Sequence, residues 1–242
     1  MIKAGIGFLT GEAAKRTAIA HFCLPERLIY LPLLYQMAYR PITVEDILLH
    51  FPELSRDKVK VSLQSHSFSF RITSPRQTRL GSFRGSQAGK PPIIMINSDL
   101  KPYTFLLVFL HELAHFHIWN KFKRRVPPHG KEWKSTLREL AAPFIQEGIF
   151  PLELTKELAT YFKTAPATFH HNIRMIQALA QAEGEKRILL VDDIPSEEKF
   201  SLVNGKQYVK IEKRRTRYKC LCLNDNKYYL VSKTAQILPN EK

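Results

Sequence analysis

Residues 111–115 read HELAH, and this short stretch constrains the chain more than any other. On an α-helix, residues four apart lie one turn up and about 40° around the axis. The imidazoles of His111 and His115 therefore leave the same face and can reach one ion. Glu112 follows the first of them and can handle protons without binding the ion. Two neutral nitrogen ligands beside a free carboxylate suit hydrolytic zinc chemistry. The preceding residues, 103–110 (YTFLLVFL), are almost wholly apolar and predict the front half of a helix running through a core. Imidazoles and a carboxylate at the end of such a helix are costly to bury without partners, and a metal is one such partner.

A catalytic zinc takes three protein ligands and keeps one position for water. The longer pattern H-E-x-x-H-x-x-G-x-x-H would need Gly at 118 and His at 121. Ile118 and Lys121 stand there, so that class is excluded. His117 is two residues past His115, about 200° around the axis, and faces the wrong way. Glu139 and His129 remain as candidates. His129 follows Pro127 and Pro128, which end any helix, and precedes Gly130, whose backbone is free to take unusual angles beside a metal. Residues 131–142 have helical spacing through Trp133, Leu137, Leu140 and Ala141. His129 would then sit at the mouth of a second helix packed on the first, and it is preferred to Glu139.

HELAH followed by PPHGKEW at residues 127–133 resembles the SprT-like metallopeptidases, the relatives of Spartan. Residues 76–83 (RQTRLGSF) and 94–103 (IMINSDLKPY) look like the strand segments that precede the family's metal helix. The resemblance covers roughly residues 41–165. It implies one Zn2+ ion on His111, His115 and His129, with Glu112 as the catalytic glutamate. It also implies a protease acting on protein substrates, in Spartan relatives on proteins crosslinked to DNA. Bacterial members are described loosely as stress or transcription proteins. The chain departs from the family in its tail. Many members carry a C-terminal zinc ribbon with two cysteine pairs, whereas here only Cys220 and Cys222 are present. Two cysteines cannot close a tetrahedral site. On a strand they share one face, and we read them as small apolar fillers.

The net charge is +15 and the pI about 9.8, a large excess for an enzyme of neutral substrates. It points to a polyanion, most simply DNA bound without sequence preference; the plainer alternative is solubility through positive charge. Two basic clusters carry the expectation. One is Lys121, Lys123, Arg124 and Arg125, ahead of His129. The other runs from 206 to 219 and includes Lys210, Lys213, Arg214, Arg215 and Arg217, with Tyr208 and Tyr218 placed to stack on bases. No apolar run approaches a membrane span. Three cysteines without framework spacing suggest a reducing compartment, and a cytoplasmic location is the default.

The spacing predicts helices over 43–49, 57–63, 103–121, 131–147, 153–163 and 168–183, and strands over 67–73, 79–83 and 93–96. Asn204-Gly205 marks a hairpin, and about five strands are expected in the tail. The fold class is therefore α+β: a zincin-like metallopeptidase domain, with a small sheet on two metal-bearing helices, and a small C-terminal β module. The expected organisation is an N-terminal extension over 1–40, the metallopeptidase domain over 41–165, a helical connector over 166–190 and a basic β module over 191–242. Residues 1–36 fit no part of the resemblance, and Met37 is a candidate start. The functional expectation is a zinc endopeptidase with Glu112 as general base. Its rivals are a non-proteolytic nucleic-acid-associated stress or transcription factor that keeps a zinc site, and a zinc hydrolase acting on a bond other than the peptide.

Overall fold

The computed structural model describes residues 42–76, 78–123, 126–164 and 172–238. The N-terminal extension, Met37, Arg124 and Arg125 lie outside the described residues. The architecture is α+β, with one small sheet among helices and a second sheet near the C-terminus.

Helix α1 (Val44–Leu48), a 3-10 turn (Glu53–Ser55) and α2 (Arg56–Ser65) lead into a three-stranded sheet. Its strands are β1 (Ser69–Thr73), β2 (Gly81–Arg84) and β3 (Ile93–Asn97), in the order β1-β3-β2. β1 runs parallel to β3, with Phe70 opposite Ile94, and β2 runs antiparallel to it, with Phe83 also opposite Ile94. The central β3 is buried at Ile93, Ile94, Ile96 and Asn97, as a strand covered on both sides should be. β1 turns Phe70 and Ile72 inward with Phe68, which precedes the strand, as its alternation predicts. The Phe70 ring lies 5.9 Å from Phe109, and that of Phe68 lies 5.1 Å from Phe116.

Both aromatic partners sit on α3 (Pro102–Phe122), the HELAH helix. Pro102 stands where its fixed φ favours helix and its missing N–H costs nothing. The helix is buried around most of its circumference, by Phe105, Leu106, Phe109, Leu110 and Leu113 among others, so it has no single apolar stripe. Its N-terminus lacks a side-chain cap of its own. Glu183, eighty residues later, accepts the N–H groups of Tyr103 at 2.7 Å and Thr104 at 3.1 Å. Three further helices complete this core. They are α4 (Lys131–Gln146), α5 (Leu152–Thr164) and α6 (Ile173–Ala182), the last capped by the Asn172 side chain. Trp133, Leu137, Ala141 and Phe144 form the buried stripe of α4, Leu154 and Leu158 that of α5, and Met175, Ala178 and Leu179 bring α6 into the same cluster.

The tail folds around its own small core. Strands β4 (Lys199–Ser201), β5 (Gln207–Lys213), β6 (Arg217–Cys222) and β7 (Lys227–Ser232) form an antiparallel meander in chain order. The first turn is at Asn204 and Gly205, where Gly205 takes a φ of 78° that favours glycine. In place of a fifth strand, single bridges join Leu190 to Gln236 and Leu202 to Ile237. Cys220 and Cys222 are buried thiols on one face of β6, as expected of fillers. Tyr208 and Tyr218 overturn a sequence expectation. The alternation of β5 and β6 turns both into the core, and the Tyr218 hydroxyl is 2.7 Å from Asp192, so neither is open to a base. Lys210 also points inward. Its ammonium donates to the carbonyls of Val191, at 3.0 Å, and Ile194, and lies over the Tyr218 ring.

Candidate metal centre

His111 and His115 project from one face of α3, as the four-residue spacing requires. His129 comes from the loop that turns the chain back into α4. The three Nε2 atoms converge. His115 lies 3.0 Å from His129 and 3.2 Å from His111, and His129 lies 3.2 Å from His111. Three nitrogens held around one metal at about 2.0–2.1 Å in tetrahedral geometry would be roughly 3.3 Å apart, so the spacing fits an ion at their centre. A neutral imidazole has only one N–H, and three mutually facing Nε2 atoms cannot satisfy one another by hydrogen bonding. Burial, with the neighbouring His129 charge, lowers His115 to about 4, and burial lowers His129 as well. Both are thus neutral near pH 7, the state a metal ligand needs. The triad is a group that can hold a metal ion.

The backbone at His129 differs from expectation. Gly130 has an ordinary φ of −70°, and the unusual angle falls on His129 itself, at φ 59°. Histidine enters this left-handed region more readily than most side chains, but at some cost in energy. Gly130 serves by its small size: a Cβ there would lie 3.1 Å from the Pro127 carbonyl oxygen, which also accepts the Gly130 N–H.

Trp133 forms the common wall of the triad. Its ring lies 4.6 Å from His129, 4.7 Å from His111 and 5.4 Å from His115. Helical spacing marks Trp133 only as a core residue. The sequence signal for this second role is its position four residues after His129, at the start of α4.

Glu112 is 7% exposed. Burial raises its carboxyl to about 7, against the lowering effects of the Phe83 backbone N–H, which hydrogen-bonds to it, and of the Arg76 and Arg79 charges. Strand β2 thus holds the carboxylate from the side. Gly81 permits the approach: a Cβ there would stand 2.5 Å from Val108 Cγ1 and 2.8 Å from Glu112 Oε1. Arg76 is fixed by Asn97, which accepts its Nε–H at 2.9 Å and donates to the carbonyls of Arg76 and Arg79. Motif reading missed this support, because it depends on a loop crossing over β3.

The remaining candidates lie elsewhere. Glu139 is exposed on α4 and accepts the Ser135 hydroxyl at 2.9 Å. His117 packs its ring 4.8 Å from that of His66, outside the triad. Lys121 is exposed near the end of α3, and Lys123 ends that helix with its Nζ 3.8 Å over the Trp119 ring. Lys213, Arg214, Arg215 and Arg217 are all exposed on and beside the β5–β6 turn, where Arg214 pairs with Glu212 at 3.1 Å.

Comparison with known proteins agrees with the motif reading. Residues 57–159 match the SprT-like family, a span narrower at both ends than 41–165, and it holds the triad, Glu112, Gly81 and Trp133. No curated protein and no solved structure matches the chain.

Proposed function

We propose that this protein is a zinc-dependent endopeptidase of zincin-like architecture, with His111, His115 and His129 as metal ligands and Glu112 as general base. The observation that carries the reading is the convergence of three imidazole nitrogens within 3.0–3.2 Å, two of them on the helix that also bears the buried carboxyl of Glu112. The SprT-like match over residues 57–159 supports it.

Zinc in this triad would supply Lewis acidity, polarising a carbonyl and making a water molecule easier to deprotonate. Glu112 takes that proton and later returns it to the departing amine. Burial raises the Glu112 carboxyl above the ordinary carboxylate range, which favours its holding the proton between the two transfers. The Phe83 N–H and Gly81 keep the carboxylate aimed, and the Trp133 ring keeps the imidazoles together. Among the described residues β2 is an edge strand beside Glu112, so an extended peptide could align along its backbone groups other than the Phe83 N–H.

The net charge of +15 supports substrates that are themselves bound or crosslinked to DNA. The four exposed cations around the β5–β6 turn support contact with phosphates without sequence preference. A non-proteolytic nucleic-acid factor with a structural metal has no use for a buried, raised carboxyl beside its ligands, and we rank that reading second.

The test uses zinc-loaded full-length protein with a DNA-bound protein substrate, with and without DNA, beside Glu112→Gln. Cleavage by the native protein and none by the variant at equal zinc content is expected. Equal cleavage by both would remove Glu112 from the mechanism, and no cleavage of any protein substrate by the zinc-loaded native chain would favour the second reading.

A further inference from the structure

We infer that the outward face of the C-terminal sheet is a stacking platform for single-stranded nucleic acid, centred on Tyr228. The inference rests on the reading of the chain as a nucleic-acid-associated protein and adds a surface and a strand form to it. Tyr218, Cys220 and Cys222 of β6 point into the core, so Arg217, Lys219 and Leu221 point out. The register places Leu221 between Val209 and Tyr228, and Lys219 beside Leu230. Tyr228 is 61% exposed and Leu230 57%, unusual for large side chains on the face of a sheet. The Lys219 ammonium lies 4.3 Å over the Tyr228 ring.

An exposed aromatic ring with apolar neighbours and a cation over one face matches what a single strand presents, with the other face left for a base. Unstacked bases offer faces to Tyr228 and Leu221, and phosphates offer charge to Lys219 and Arg217. A duplex hides its base faces and would meet only the cations. The acid opposite Lys219 is Glu212, and Arg214 holds it at 3.1 Å. Charge also disfavours a second copy of this chain as occupant, since face-to-face pairing would bring together two surfaces that each carry Lys219 and Arg217. The platform takes over the stacking role that the sequence suggests for Tyr208 and Tyr218.

Fluorescence anisotropy with labelled oligothymidylate, and with a duplex of mixed sequence, tests this on the full chain. Tyr228→Ala is expected to weaken oligothymidylate binding about tenfold and to leave duplex binding unchanged, while Tyr228→Phe keeps native affinity. Lys219→Ala should weaken binding and reduce the salt dependence by about one counterion. Thermal melting checks that each variant is folded. If Tyr228→Ala binds the single strand like the native chain while the Arg214→Ala, Arg215→Ala double variant does not, the platform is wrong and the nucleic-acid reading survives. If the native chain binds neither probe, both are wrong. A native dimer that Tyr228→Ala dissolves, with single-strand binding intact, would assign the face to self-association and overturn the platform.

Discussion

Trp133, in the first turn of α4, follows His129 by four residues, and its ring lies 4.6 Å from the His129 imidazole while also packing against His111 and His115. One buried side chain therefore sets the positions of three ligands from two separate segments. Trp133→Phe should keep the fold and weaken zinc binding about tenfold to a hundredfold, the usual range for a residue that orients metal ligands. Trp133→Ala should also destabilise the protein by about 3–5 kcal/mol. Competition with a chromophoric chelator, beside urea unfolding, separates the effects. Native zinc affinity in a folded Trp133→Phe protein would reduce Trp133 to a core residue.

The two candidates for the third ligand make opposite predictions. His129 lies 3.0 Å from His115, and Glu139 is exposed in the middle of α4, where it accepts the Ser135 hydroxyl. His129→Ala should lower the zinc content of purified protein to near zero, and Glu139→Ala should leave it at one ion. Metal analysis by emission spectroscopy reads both, and the reverse pattern would move the ligand to Glu139.

How much of this was legible before the structure depended on the range of the interaction. His111 and His115 are related by helical geometry alone, so the motif predicts their convergence. The buried front half of α3, the α4 stripe through Trp133, Leu137, Leu140 and Ala141 and the Asn204–Gly205 hairpin are likewise local patterns, and all are present. Positions that depend on distant chain segments were not legible. The support of Glu112 by Gly81 and Phe83 needs the β2–β3 register. The capping of α3 by Glu183 joins residues eighty apart. Tyr208, Tyr218 and Lys210 read as a basic, aromatic surface, but strand alternation and a β-bulge between Lys210 and Glu212 decide which side chains face the core. At His129 and Gly130 composition misled, because the residue with freedom for unusual angles is not the one that takes them.

Gly81→Ala tests whether β2 aims the catalytic carboxylate. The added methyl would stand 2.5 Å from Val108 Cγ1 and 2.8 Å from Glu112 Oε1, so one of them must move. Overpacking of this kind costs about 1–3 kcal/mol. Peptidase activity should fall at least tenfold with zinc content unchanged, since His111, His115 and His129 do not touch the new group. Full activity in the variant would show that the carboxylate needs no such guide.

Glu183→Ala removes the cap of the metal helix. Both N–H groups it accepts belong to the first turn of α3, where the helix dipole also favours a carboxylate. The expected loss is about 1–2 kcal/mol in urea unfolding, and Glu183→Gln should recover part of it by keeping an acceptor without the charge. A loss below a few tenths would mean that water replaces the carboxylate at no cost.

The buried carboxyl of Glu112 predicts a pH dependence of stability in the metal-free protein. Its folded value of about 7 stands above the ordinary 4.5, so folding favours the protonated form. The contribution is fully present below about 4.5 and is lost as pH rises through 7, in total on the order of 3 kcal/mol. His115 acts in the opposite sense. Its folded value of about 4 lies below 6.5, so its contribution is present above 6.5 and is lost as pH falls through 4. Glu112→Gln isolates the first effect, because the amide is neutral throughout. With chelator present, the variant should exceed the native protein in unfolding free energy by a margin that grows from pH 5 to pH 8, while the two share the acid-side loss due to His115. Urea titrations at several pH values measure the margin directly. A margin independent of pH would show that Glu112 is solvated in solution and does not carry the burial that raises its pKa.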